Sequence, residues 1–402
     1  MISRQCWRGP LLSLSKGQNV TAPVPLSAVE SQPRRHRRSH DEFGGSQPRH
    51  ALDDLLVQLV RSGGSDLHLT VGAPPTIRVH GDLQYLPDFD PLDAEDTRSL
   101  LRLVTTEEQW KKFEREQEFD LAYDLPGLSR FRVNLFRQRN AYGSVMRAIP
   151  HEIKPLDELG IPDQISRFAH LPRGLVLVTG PTGSGKTTTL ASLLDLANRT
   201  RRDHIVTIED PIEFLHEHKR CLVNQREVGV DTNGFATALK RVLRQDPDII
   251  LVGELRDLET VSTAITAAET GHLVLATLHT QSAAQTIDRV IDVFPPHQQQ
   301  EIRAQLSTAL QGVVTQALCR RADGTGRTVI CEVMFATPAI RNLIREGKNH
   351  QIPSFMQSSG ADGMLTFDHH LAQRVNQSII SYAQALEICH YPEEFARLAG
   401  RK

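Results

Sequence analysis

The sequence predicts an α/β protein: a doubly wound parallel sheet at the centre, a smaller α+β domain before it and a helical region after it. Three observations carry this. An apolar, β-branched run, Gly174-Leu-Val-Leu-Val-Thr179, leads into a glycine-rich loop and then a helical pattern. Beyond it, apolar runs alternate with helical patterns, the order that builds a parallel sheet through right-handed crossovers. Before it, short alternating runs broken by Gly and Pro read as an antiparallel meander.

Composition sets the outer limits. The chain has 402 residues, 39% hydrophobic and 23% charged, with a formal net charge of −2, which is enough for about two or three domains. A near-neutral balance carries no global basic field, so no nucleic-acid partner is expected. No run approaches the roughly 20 apolar residues that a membrane-spanning helix needs, so any membrane contact is expected to be peripheral. The five cysteines, at 6, 221, 319, 331 and 389, form no C-x-x-C pair. That spacing gives neither a zinc cage nor a disulfide framework and suits a reducing cytosol.

Residues 1–50 are rich in Ser, Pro, Gln and Arg and carry Arg34-Arg35-His36-Arg37-Arg38. This composition predicts a disordered basic extension, and Leu11-Leu12-Ser13-Leu14 is too short for a secretory signal core. Residues 51–150 form the small domain. A helical face (Leu52, Leu55, Leu56, Leu59) precedes strands at 66–71 and 76–80, two short helices within 94–117, and strands at 118–124, 129–136 and 143–149. The proline-punctuated segment 151–171 reads as a linker. Within 172–337, strands are expected at 204–208, 248–252 and 271–278, with a helix over Leu258–Glu269. Residues 338–402 are expected to be mostly helical, with amphipathic stretches at 338–346 and 379–389. Asp368-His369-His370 has no spaced partners for a metal and reads as helix surface.

The chemistry concentrates after the first strand of the core. Gly180-Pro181-Thr182-Gly183-Ser184-Gly185-Lys186-Thr187, followed by Thr188, is a complete phosphate-binding loop between a strand and a helix. Glycines let backbone N–H groups close around phosphate oxygens at a helix N-terminus, where the dipole favours anions. Lys186 then neutralises the β- and γ-phosphates and the Thr187 hydroxyl holds Mg²⁺. The expected ligands are therefore ATP and Mg²⁺.

In doubly wound sheets, ligands bind at the C-terminal edge of the strands. Glu209-Asp210-Pro211-Ile212-Glu213 and Gly253-Glu254-Leu255-Arg256-Asp257 both stand there. An apolar strand ending in acid is the Walker-B arrangement, but Gly253 occupies the position of its usual metal-binding Asp. Glu254 is thus better placed to orient and deprotonate the attacking water. His279 also lies at that edge, where the γ-phosphate would be sensed, whereas His272 starts the same strand at the opposite edge. In the small domain Arg130, Arg132, Arg137, Arg139 and Arg147 gather on adjacent strands, with Arg130 and Arg132 on one face. Arginine stabilises charge on a transferring phosphoryl group, in cis or in trans.

Taken together, the loop, Thr207-Ile-Glu-Asp-Pro-Ile-Glu-Phe214, Asp246-Pro-Asp-Ile-Ile-Leu-Val-Gly-Glu-Leu-Arg-Asp257 and Thr270-Gly-His-Leu-Val-Leu-Ala-Thr-Leu-His-Thr280 resemble the Walker A, aspartate box, Walker B and histidine box of the secretion-ATPase superfamily of type II secretion and type IV pili. Ala339-Ile-Arg-Asn-Leu-Ile-Arg-Glu-Gly-Lys348 resembles the C-terminal motif of pilus retraction ATPases. Ser65-Asp-Leu-His-Leu69 and Arg130-Phe-Arg-Val-Asn134 agree with that family's small domain. The likeness covers about 51–395.

The resemblance implies a PAS-like N-terminal domain, a RecA-like ATPase core and a ring-shaped homohexamer. It implies that Glu254 is the catalytic glutamate, that Glu209 is an acid near the metal, and that His272 and His279 are the histidine-box pair. Arg132 and Arg147 align with arginines that reach the nucleotide. The implied task is coupling ATP hydrolysis to pilus retraction, and hence twitching motility. A polytopic platform protein of the inner membrane would transmit the force, with the motor at that membrane's cytoplasmic face.

Two departures stand out: residues 1–50 have no counterpart in typical retraction ATPases, and the tetracysteine zinc motif of many assembly ATPases is absent. Two readings compete. One is a related secretion or conjugation ATPase with another cargo, and the other is a nucleotide-sensing regulator with little turnover. Glu254 argues against the second.

Overall fold

A computed structural model describes residues 48–79, 81–149 and 153–401 of the chain, with side chains from Ala51 onward. The expected basic extension lies outside the described residues except at its final three positions. There the helix Pro48–Arg61 begins.

The N-terminal domain is a six-stranded antiparallel sheet with helices on one face. Its strands are β1 (Asp66–Leu69), β2 (Thr76–Val79), β3 (Asp82–Tyr85), β4 (Glu118–Leu125), β5 (Ser129–Gln138) and β6 (Ala141–Ile149). They lie in the order β3-β2-β1-β6-β5-β4. Alternation along β5 buries Phe131, Val133 and Leu135 against Leu52, Leu55, Leu56 and Leu59 of the first helix. Helices Ala94–Leu103 and Glu107–Glu116 each start with a capping box, from Asp93 and Thr106.

The second sheet has seven strands: β7 (Gly174–Thr179), β8 (His204–Glu209), β9 (Leu222–Glu227), β10 (Ile249–Val252), β11 (Leu273–Leu278), β12 (Leu310–Arg320) and β13 (Arg327–Phe335). Their order is β13-β12-β7-β11-β10-β8-β9. Every neighbour pair from β12 to β9 is parallel, and β13 runs antiparallel to β12. The expected all-parallel sheet is therefore mixed at one edge. β7 is buried on both faces: Leu175 and Leu177 enter one core layer, Val176 and Val178 the other. β9, β12 and β13 were not expected. β12 is buried along most of its length on both sides, so it shows no period-two alternation to read.

The described part of segment 151–171 packs against the core of the second sheet. Its 3₁₀ turn Asp163–His170 buries Ile165, Phe168 and Ala169, and Arg201 Nη1 donates to the Ala169 and Leu171 carbonyls at 3.1 and 2.6 Å. The tail is helical over Pro338–Arg345, Ile352–Ser358, Phe367–Asn376, Tyr382–Ile388 and Pro392–Leu398. One expectation there is overturned. Asp368 and His370 are buried, not surface, because Phe367, His370 and Leu371 form the face of their helix that packs on β13. Asp368 accepts the His390 and Tyr391 backbone N–H groups at 2.8 and 2.7 Å. The Cys331 N–H donates to His370 Nδ1 at 2.9 Å, and burial drives the imidazole pKa down to about 4.

Glu332 on β13 is also buried and accepts the Ala283 N–H at 2.6 Å, at the start of the helix Ala283–Asp292. Burial pushes its carboxyl up to about 7, well above its ordinary 4.5, despite backbone donors at Ala283 and Phe367. The folded state thus holds this proton more tightly than the unfolded chain. The resulting stability is full below the unfolded value and is lost as pH rises through about 7. The pH-dependent difference in unfolding free energy between wild type and Glu332→Gln should move in favour of the variant from pH 5 to pH 8, by on the order of 3 kcal/mol. Chemical denaturation across that range measures it.

Candidate active site

The parallel register carries β7, β8, β10 and β11 to the same edge, where a cleft of about 450 Å³ opens, a volume suited to a nucleotide. Thr182, Gly183, Gly185, Lys186, Thr187 and Thr188 line it from the phosphate loop. Glu209, Asp210 and Glu213 follow β8, Gly253, Glu254 and Arg256 follow β10, and Thr277 and His279 end β11.

The loop's path depends on Gly180, whose φ of +139° lies where side chains are strained and whose added Cβ would stand 2.1 Å from the Gln316 carbonyl oxygen. Gln316 Nε2 in turn donates to the Ser184 carbonyl at 2.7 Å, so β12 holds the loop from beneath. Gly180 and Ser184 form this underside, and neither they nor the exposed Pro181 line the cleft. Gly185 enters the helix Lys186–Thr200 at φ +86°, which leaves the helix's first N–H groups available to an anion.

Lys186 Nζ donates to the Gly180 and Pro181 carbonyls at 2.9 and 3.1 Å and stands 3.5 Å from His279 Nδ1. Burial lowers its pKa, and the nearby carboxylates Glu254 and Glu213 offset part of that. On the other side of the ring, His279 Nε2 lies 3.2 Å from Glu254 Oε1, and Arg256 Nη2 lies 2.7 Å from Glu254 Oε2. The Nε2–H tautomer of His279 satisfies both contacts, with Nδ1 accepting from Lys186. Burial pushes the Glu254 carboxyl up, but the Arg256 and His279 interactions outweigh it and hold the group below its ordinary value. Glu254 is therefore an ionised carboxylate at the cleft wall, only 19% exposed.

Glu209 is the opposite case. It is buried, accepts Thr207 Oγ1 at 2.6 Å and Gln225 Nε2 at 3.2 Å, and has its pKa raised by that burial. A carboxyl disfavoured as an anion, beside a loop hydroxyl and further acids, gains from a cation. This donor set fits Mg²⁺, which takes one or two protein oxygens and completes its shell with phosphates and water.

Three expected residues are not brought to the cleft. His272 sits at the far end of β11, its Nδ1 2.9 Å from the Ala267 carbonyl oxygen. Arg132 and Arg147 lie on β5 and β6 of the N-terminal sheet and do not line the cleft. The sequence reading missed Gln316, Leu318 and Arg327, since they belong to the unforeseen β12–β13 hairpin. It also gave no role to Arg256, although a guanidinium two residues past an exposed-edge acid is a signal it could have used.

The chain matches the family model described as type II/IV secretion system protein over residues 51–386. It is 51% identical over 344 residues to the type IV pilus retractation ATPase PilT of Pseudomonas aeruginosa, covering 86% of this chain and 99% of that protein. It is 47% identical over 307 residues to the twitching motility protein of Neisseria gonorrhoeae, covering 76% and 82%. Its fold matches the crystal structure of the pilus retraction motor PilT with bound ADP at a TM-score of 0.81 and 46% identity, over 86% of this chain and 98% of that one. A phosphate loop facing a carboxylate and a histidine at the edge of a parallel sheet, in a chain so similar to ATPases, defines a P-loop ATPase with a RecA-like core. The chain belongs to the type II/IV secretion system protein family.

Gly180→Ala should weaken binding of a fluorescent ADP analogue at least tenfold, because the new methyl collides with backbone on β12 that cannot withdraw. Anisotropy titration reads this directly, and binding within twofold of wild type would contradict the packing described.

Proposed function

We propose that the protein is a ring-forming motor ATPase that couples ATP hydrolysis to retraction of a type IV pilus. The observation that carries this reading is the 51% identity, over 99% of its length, to a protein named for pilus retraction, in a chain that keeps the complete phosphate loop and Glu254. Among the described residues no helix is long and apolar enough to cross a membrane. The reading therefore includes a polytopic platform protein of the inner membrane, against whose cytoplasmic face the ring pushes. The ring itself is proposed as a homohexamer.

The cleft residues then take the following roles. The first N–H groups of the helix Lys186–Thr200 and the Lys186 ammonium exchange their present partners for phosphate oxygens. Thr187 and Glu209 would hold Mg²⁺, which supplies charge neutralisation between the phosphates. Glu254 accepts a proton from the water as its oxygen bonds to the γ-phosphorus and the bond to the β–γ bridging oxygen breaks, leaving ADP and phosphate. His279, bridging Lys186 and Glu254, relays the position of the γ-phosphate to the base. Arg132 and Arg147, which do not line their own cleft, stabilise the transferring phosphoryl group in the neighbouring copy. His272, remote from the cleft, takes no direct part in the chemistry there.

Lys186→Ala should abolish nucleotide binding. Glu254→Gln should bind ATP within about twofold of wild type and lose turnover at least 100-fold, and normal hydrolysis by this variant would remove Glu254 from the base's role. Sedimentation of the wild type with nucleotide should give a hexamer, and a strict monomer with full activity would overturn the ring. In the cell, gene deletion should leave more surface pili and no twitching. Unchanged pilus number and motility would discard retraction as the task.

A further inference from the structure

The N-terminal sheet buries Leu67, Ile77, Val133 and Met146 with its helices, so the alternate residues of each strand face the other way. On that opposite face Arg132 pairs with Arg147, Arg147 with Asp66, and Asp66 with Arg78, an unbroken row across β5, β6, β1 and β2. Like charges directly opposite one another on a sheet repel, and this row sets three guanidinium groups against one carboxylate. The carboxylate is its buried member. Asp66, 5% exposed, accepts Arg147 Nε at 2.8 Å through Oδ1 and Ser65 Oγ at 2.7 Å through Oδ2, with Arg78 Nε 4.0 Å away. Burial pushes its carboxyl up, but Ser65 and Arg147 outweigh this and hold it below its ordinary value. Arg147 is 65% exposed and is bound through Nε, which leaves its two terminal nitrogens as a fork in solvent.

We infer that Asp66 is a positioning residue: by gripping Arg147 at Nε it presents the two terminal nitrogens, already ordered, to an anion outside the subunit. The inference rests on the proposed function, in which that anion is the transferring phosphoryl group held by the next copy in the ring. An unrestrained arginine loses rotamer freedom when it meets phosphate, and one anchored at Nε has already lost it. The neighbouring Arg132, directly across the strand pair, adds charge without an anchor among the described residues, so geometric precision comes through Asp66.

The test is a double-mutant cycle on steady-state ATP hydrolysis by the full-length hexamer, with kcat and KM read separately. Arg147→Ala should lower kcat at least 100-fold. Asp66→Asn should lower kcat on the order of tenfold, with KM, ADP binding and hexamer formation within twofold of wild type. Added to Arg147→Ala, it should cost less than a further twofold. Should Asp66→Asn fail to fold, Ser65→Ala on the exposed strand start removes one Asp66 bond and should lower kcat about threefold, again only while Arg147 is present. Wild-type kcat in Asp66→Asn, or an equal loss with and without Arg147, overturns the positioning role and leaves the phosphoryl-stabilising role of Arg147 standing. Wild-type turnover by Arg147→Ala overturns both.

Discussion

The parallel register of β8, β10, β11 and β7 is the constraint on which the rest depends. Val252 lies beside both Ile208 and Ala276, and Thr179 lies beside Leu278, so the four strands end at one edge of the sheet, staggered by no more than two residues. The residue after each strand, or within two of it, then stands at the rim of a single cleft. Both faces of these strands are buried, which makes a register slip costly because it would move an entire row of apolar side chains. The site inherits its precision from that packing.

Across the cleft, charges and donors alternate: the Lys186 ammonium, the His279 ring, the Glu254 carboxylate and the Arg256 guanidinium. The two inner members, His279 and Glu254, each have a partner on either side, so the lysine and the carboxylate are linked through the imidazole. Glu209 stands apart from this chain. It is buried beneath hydroxyl and amide donors and is the acid whose charge most needs a cation. Two carboxyls in one cleft are thus pushed in opposite directions by their surroundings, Glu209 up and Glu254 down.

A largely buried ion pair joins the N-terminal domain to this cleft. Glu227 Oε2, at the end of β9, accepts Arg130 Nη2 at 2.8 Å and the Ile212 N–H at 3.2 Å. Ile212 lies between Pro211 and Glu213, both of which line the cleft. The strand that offers Arg132 to the outside is therefore tied, two residues earlier, to the loop that follows β8. Leaving either charge without its partner in that buried setting would be costly.

The sequence by itself determined the core strands, the phosphate loop, the helix Leu258–Glu269 and the acids after the strands. Each is a local signal: a run with its own period, a glycine that alone fits its turn, or a charge at the end of an apolar segment. It also predicted the paired motifs by which the family resemblance could be stated. Tertiary structure alone decided the β12–β13 hairpin, whose burial on both faces erases periodicity, and with it Gln316 beneath the loop. It decided that His370 and Asp368 face inward, since which side of a helix is covered depends on Cys331 of a strand well before it and on the His390–Tyr391 backbone well after it. It also set Arg132 and Arg147 beside Asp66, a row that exists only through the pairing of four strands brought together from 65 to 150. Contacts made across such separations are fixed by register and packing, which no local pattern encodes.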